Sequence, residues 1–149
     1  MTAGERGLWM LVGAGVAHVA EEYLLDWRSW ASRMSGVSLT WDRFWLMNAG
    51  FLVLAAAAAA IGWRSVRFSL ALPSLVLINA VGFHIGPTLA VGQVSPGVFT
   101  AALLYVPLGS WVFWRAGKDG LLTWSVAVFA VVLGAAVMSL PFALLTIGR

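Results

Sequence analysis

The chain has 149 residues, of which 61% are hydrophobic and only 10% charged. That composition excludes an ordinary soluble domain of this length and points to a protein whose outer surface meets lipid. The formal net charge is +3, but the basic residues Arg28, Arg33, Arg43, Arg64, Arg67, Arg115, Lys118 and Arg149 stand at segment ends rather than in a stripe, so nucleic acid is not an expected partner. With no cysteine in the chain, disulfides, thiolate metal sites and a Cys nucleophile are excluded as well.

Taken in order, the apolar stretches predict one all-α domain over residues 1–149, a bundle of five transmembrane helices of about 20 residues each. The first span runs from Gly7 to Leu25. Its apolar stretch has signal-peptide features, but it also carries a histidine and two glutamates, so it is expected to stay as a permanent span. Next comes Asp26-Trp27-Arg28-Ser29-Trp30-Ala31-Ser32-Arg33, too polar to cross and expected as a short interfacial segment. Thr40 is placed to cap the second span, Phe44 to Gly62, whose Ala55–Ala60 run offers a thin face for close packing.

The third span, Phe68 to Val91, contains Pro73 and Pro87, and the carbonyls these prolines free need other partners. Val94-Ser95-Pro96-Gly97 is a tight turn into the fourth span, Val98 to Trp114. The fifth runs from Leu121 to Ile147. Tryptophans fall at or near the ends of these spans, where interfacial aromatic belts belong. Arg6, Arg64, Arg67, Arg115 and Lys118 lie on one side against Arg28, Arg33, Arg43 and Arg149 on the other, which leans to a cytoplasmic N-terminus.

The chemistry concentrates in Ala17-His18-Val19-Ala20-Glu21-Glu22-Tyr23. Positions i, i+3 and i+4 share a helix face, so His18, Glu21 and Glu22 form one polar group. Each charged side chain at this depth costs roughly 2.5–3.5 kcal/mol on insertion, which marks such residues as functional candidates facing a bundle interior. At 1.5 Å per residue, His18 lies about 17 Å and Glu22 about 23 Å into the first span, with Asn79 about 16 Å and His84 about 24 Å along the third. Asn48, Thr100 and Tyr105 enter from the opposite side, Ser139 lies late in the fifth span, and all reach the same half of the bundle. Polar groups from all five spans therefore converge, and the side chains of His18 and His84 are expected within about 7 Å of each other. Taken singly, Asn48, Thr100 and Ser139 are also the kind of residue that simply joins membrane helices.

Two chemistries fit. In one, His18, Glu21, Glu22 and His84 hold a divalent metal (Zn, Fe or Mn), with Asn48, Asn79, Thr100 and Tyr105 around the substrate. In the other no metal is present, and Glu21 and Glu22 with His18 act as acid and base in an isomerase or cyclase. Both predict an integral membrane enzyme acting on a membrane lipid, an isoprenoid or another apolar small molecule. A non-catalytic membrane protein that holds a lipid, cofactor or metal is the alternative of another class, and a homo-oligomer is compatible with any of these.

His18-Val19-Ala20-Glu21-Glu22 resembles the motif of the HXXEE family of small bacterial integral membrane proteins. Asn79-Ala80-Val81-Gly82-Phe83-His84 is similar to that family's second polar helix, and Ser95-Pro96-Gly97 followed by Thr100 to its Pro-Gly turn. The resemblance implies that these are the site residues and that the membrane is the bacterial cytoplasmic one, and it implies no particular reaction.

Overall fold

The computed structural model describes residues 1–36 and 38–146; the expected last residue of the fifth span, Ile147, and Arg149 lie outside them. Helix α1 (Ala3–Leu24) starts at a reciprocal cap: Thr2 accepts the Glu5 N–H through its hydroxyl, and Glu5 accepts the Thr2 N–H. Glu5 also accepts the Trp63 N–H at 3.1 Å, tying the start of α1 to the far end of α3. The chain then reverses at Asp26, whose left-handed backbone (φ 50°) and side-chain cap on Ser29 begin helix α2 (Trp27–Ser35). Helix α2 lies at 74° to α1, in the place expected of the short interfacial segment.

Helix α3 (Trp41–Ile61) opens at Thr40, which accepts the Arg43 N–H as its position anticipates, and continues through a 3-10 turn (Gly62–Ser65) to Ser69. Helices α4 (Ala71–Val91) and α5 (Val98–Lys118) follow, joined by the Ser95–Gly97 turn, and α6 (Trp124–Thr146) closes the described chain. Among the described residues there is no strand.

Three helices, Trp41–Ser69, Ala71–Val91 and Val98–Lys118, have the length and apolarity to cross a membrane, and α1 with α2 makes a fourth only as a bent pair. The described apolar part of α6, Trp124–Leu140, is shorter. The described chain thus presents three to four spanning candidates where composition predicted five. The difference lies in α1, whose own glutamates lower its apolarity, and in α6, which is counted only over its described part, to Leu140.

Packing places α1 between α3 and α5, and α4 between α5 and α6. The core is apolar and small-residue rich: Leu8, Leu11, Ala14, Ala55, Ala59, Val76, Ala80, Ala101, Val112 and Ala130 are all buried. Ala55 and Ala59, one turn apart, realise the thin packing face expected of the alanine run. Residues that make long side chains elsewhere are reduced to glycine where helices meet. A Cβ at Gly7 would lie 2.5 Å from the Trp111 ring, and one at Gly134 would lie 2.9 Å from the Leu75 backbone.

Helices α4 and α5 are both widened in mid-course. Ala80–Ile85 and Ala101–Tyr105 are π-helical, and each segment ends two residues before a proline, Pro87 or Pro107. A proline in a helix has no N–H for the carbonyl four residues back, and its ring crowds that carbonyl. Shifting the preceding turn to i→i+5 pairing, as in Gly86 N–H to Val81 O and Val106 N–H to Ala101 O, absorbs both problems. The widened turns carry His84 and Tyr105, and π-bulges gather at functional positions.

Candidate metal centre beside an apolar cavity

His18 and Glu22 sit one turn apart on α1, and the π segment of α4 brings His84 to meet them. All three are buried: His18 is 3% exposed, Glu22 5% and His84 0%. The two imidazole rings stand edge to face with centroids 4.7 Å apart, within the expected 7 Å. One nitrogen from each ring and one Glu22 oxygen lie within 4.8 Å of one another. His18 Nε2 is 3.6 Å from Glu22 Oε1, and His84 Nε2 is 3.5 Å from the same oxygen.

The outer nitrogen of each ring is held by a hydroxyl. His18 Nδ1 is 2.8 Å from Thr100 Oγ1, whose own proton goes to the Gly97 carbonyl. His84 Nδ1 is 3.1 Å from Ser95 Oγ, whose proton goes to the Pro96 carbonyl. A hydroxyl that spends its proton on a carbonyl presents a lone pair to the ring, so Nδ1 of each neutral imidazole carries the hydrogen. Nε2 of each then presents a bare lone pair toward Glu22. Both Nε2 atoms are buried and without a hydrogen-bond partner among the described residues.

Glu21 is directed elsewhere. Its Oε1 accepts the N–H groups of Gly97 (2.9 Å) and Phe99 (3.1 Å), and its Oε2 accepts that of Thr100 (2.7 Å). The carboxylate of α1 therefore caps the start of α5, where unpaired N–H groups favour an anion. Sequence spacing put Glu21 beside Glu22 as a ligand or as half of an acid/base pair. The structure engages both of its oxygens with backbone, and it is not in the group formed by His18, Glu22 and His84.

The loop that Glu21 holds also closes one side of the site, as a floor under both rings. Gly97 has φ +95°, and a Cβ there would lie 2.6 Å from His84 Cε1 and 2.8 Å from His18 Cε1. Only glycine allows the turn to lie against both rings. On the other side the Tyr105 ring stacks on His18 with centroids 4.5 Å apart, and its hydroxyl is buried without a partner among the described residues.

A cavity of about 370 Å³ opens beside this group. His18, Glu22, Asn48, Asn79 and Tyr105 line its polar end; its remaining walls, from Trp27, Phe51, Leu75 and Met138 among others, are apolar. Asn79 reaches Met138 Sδ at 4.0 Å with its amide nitrogen and leaves Oδ1 buried and without a partner among the described residues. Asn48, Asn79, Thr100 and Tyr105 thus all border the group or its cavity, though Thr100 acts on His18 from behind. Asn48 also donates to the Phe44 carbonyl. Ser139 does not join them, being exposed and bonded to the Ala136 carbonyl. Tyr23 faces outward too and stacks on Trp41 and Trp45. Sequence reasoning placed Ser95 and Gly97 only in a turn. Their roles as partner of His84 and as floor of both rings follow from a turn that must return the chain over two buried imidazoles.

The family described as "Protein of unknown function with HXXEE motif" matches residues 9–112 of this chain. The chain belongs to the HXXEE family. No curated protein and no solved structure matches it. The matched region begins in α1, ends in α5, and contains every residue of the His18, Glu22 and His84 group together with Glu21, Ser95, Gly97, Thr100 and Tyr105.

Proposed function

We propose that this HXXEE protein is a five-span integral membrane enzyme that holds a divalent metal, Zn, Fe or Mn, through His18 Nε2, His84 Nε2 and the Glu22 carboxylate, and acts on a lipid-like or isoprenoid substrate. One observation carries the reading: two bare imidazole nitrogens and a carboxylate oxygen point at one another with nothing polar between them. Three lone-pair donors facing each other in a buried place repel unless a cation lies between them. Ligands about 2.0–2.2 Å from a tetrahedral ion stand roughly 3.3–3.6 Å apart. The His–Glu separations of 3.6 and 3.5 Å match that edge, and with all three ligand atoms within 4.8 Å the two imidazoles would draw together on a bound ion. A proton shared directly would draw either pair to about 2.7–3.2 Å. The paired-glutamate acid/base site has less support, because Glu21 is committed to the α5 backbone.

Two imidazoles and one carboxylate leave coordination positions free, the arrangement of catalytic rather than structural sites. A bound ion there would supply Lewis acidity toward a polar group of the substrate. The chain's own groups do the rest. Thr100 and Ser95 fix the tautomer of each histidine, as outer hydrogen bonds do in metal sites. Tyr105 Oη and Asn79 Oδ1, both without a partner among the described residues, are available to orient the substrate's polar group. The apolar walls of the cavity keep water from the reacting centre.

Elemental analysis of the purified protein tests this. Wild type should carry one equivalent of a transition metal or zinc, and His84→Ala and Glu22→Gln should each lose it. Metal-free wild type that stays fully active after chelator treatment removes the metal, and a protein with metal but no turnover of any lipid fraction leaves a metal- or lipid-binding role.

A further inference from the structure

The cavity beside the metal group does not end at α3. A second apolar cavity of about 270 Å³ shares Phe51, Leu54, Leu75 and Val137 with the first, so the two are neighbouring chambers of one groove. Along α3 the first chamber begins at Leu46 and the second ends at Ile61, fifteen residues later. That is about 22 Å of helix, longer than the roughly 15 Å hydrocarbon depth of one leaflet. Small residues hollow the far chamber, Ala57 and Ala58 on α3 and Gly134 on α6. The near chamber has lining residues Leu46, Leu54 and Leu140 half to two-thirds exposed, which leaves a side entrance between α3 and α6.

The groove is polar at one end only. Among the described residues no Lys or Arg lines either chamber, and the near end carries Glu22, so a phosphate head would meet a carboxylate and no counter-charge from them. Tyr105 Oη, on a residue 1% exposed, and Asn79 Oδ1 have no partner among the described residues and call for a small group that both donates and accepts hydrogen bonds. Two chambers of this size in line take one chain, whereas a two-chain phospholipid needs a wider space.

Resting on the proposed function, we propose that the substrate is a single-chain amphiphile with a small uncharged or weakly polar head such as an alcohol. Its head lies at His18, Glu22, Asn79 and Tyr105, and its chain runs along α3 to Ile61. A saturated acyl chain and an isoprenoid chain share this chemistry.

Photolabelling in the purified full-length protein tests it. The probes are a long saturated fatty alcohol and an isoprenoid alcohol of similar length, each made with a diazirine either next to the hydroxyl or at the far end. Head-end probes should mark peptides containing Asn48, Phe51 or Met138; far-end probes should mark Ala57–Ile61, Phe68 or Leu133. Stronger labelling by the saturated or the isoprenoid pair assigns the chain type. Ala57→Phe, at an exposed position where a larger side chain does not disturb the core, should move far-end labelling back into the first chamber. Labels spread over outward residues such as Leu103 and Val132, or unmoved by Ala57→Phe, overturn the groove. Metal content measured on the same samples separates this result from the metal reading: a mapped groove in metal-free protein retains the ligand and removes only the ion.

Discussion

Replacing the two adjacent glutamates by glutamine one at a time should separate holding the site from being the site. In Glu21→Gln, one of the two oxygens that accept the N–H groups of Gly97, Phe99 and Thr100 becomes an NH₂ donor. If the amide keeps its oxygen on Gly97 and Phe99, the Thr100 N–H, now bonded at 2.7 Å, faces another donor. A hydrogen bond to a charged acceptor contributes about 1.5–3 kcal/mol, and the anion at the helix start adds up to about 1 kcal/mol. Because Glu21 is partly exposed, the lower part of the range applies, about 2 kcal/mol. For a chain of this length that lowers the melting temperature by roughly 4–8 °C. Glu22→Gln keeps a side-chain oxygen that can accept from Asn48, and its contacts with His18 and His84 are long, 3.6 and 3.5 Å. The metal-free protein should therefore melt within about 1 kcal/mol of wild type, while stoichiometric metal is lost because an amide is a much poorer ligand than a carboxylate. The assay is paired thermal unfolding in detergent and elemental analysis at saturating metal. Glu21→Gln with unchanged melting and no metal, or Glu22→Gln with full metal, would refute the assignment of roles.

The same geometry supports three further outcomes. Gly97→Ala should abolish metal binding, whereas Gly92→Ala should retain it: both glycines have positive φ (95° and 70°), but only at Gly97 does a Cβ meet the two imidazoles. Metal content of the two variants reads the difference, and equal loss would point to backbone strain alone. Tyr105→Phe keeps the ring on His18 and deletes a buried hydroxyl that has no partner among the described residues, so the protein should melt no lower than wild type while losing affinity for an alcohol probe. A melting temperature lowered by several degrees would show that the hydroxyl is bonded in the folded protein. Reporter fusions at the two ends should report opposite sides of the membrane, as five spans require, and equal sidedness would leave the α1–α2 pair or α6 not crossing.

The bundle itself was readable because lipid imposes a simple rule: apolar runs of about 20 residues become helices, and polar punctuation separates them. Thr40 as a cap, the Ser95–Gly97 turn and the break after Leu25 all rest on local chemistry and stand where it put them. The count of spans did not follow as readily. Length and hydropathy describe what each helix offers to lipid, and α1 offers least there because it carries the residues the site requires. The convergence of His18, His84, Thr100 and Tyr105 came from depth along helices of fixed rise. That is the one coordinate a sequence supplies for a membrane bundle.

Rotation about the helix axis is the coordinate it does not supply, and the two glutamates show why that matters. Spacing from His18 places Glu21 three residues on and Glu22 four residues on, both nominally on one face. Yet adjacent residues diverge by about 100° around an α-helix, so two neighbouring carboxylates can share a single ligand position only if the backbone is distorted. With α4 and the start of α5 both packed against this part of α1, each glutamate meets a different partner: Glu22 the imidazole of His84, Glu21 the N–H groups of Gly97, Phe99 and Thr100. The motif then reads as a hinge between two tasks. Glu22 and His18 form the group, and Glu21 fastens the loop whose Ser95, Gly97 and Thr100 hold both histidines in register. Loss of either carboxylate reaches the same two rings, one directly and one through the loop that floors them.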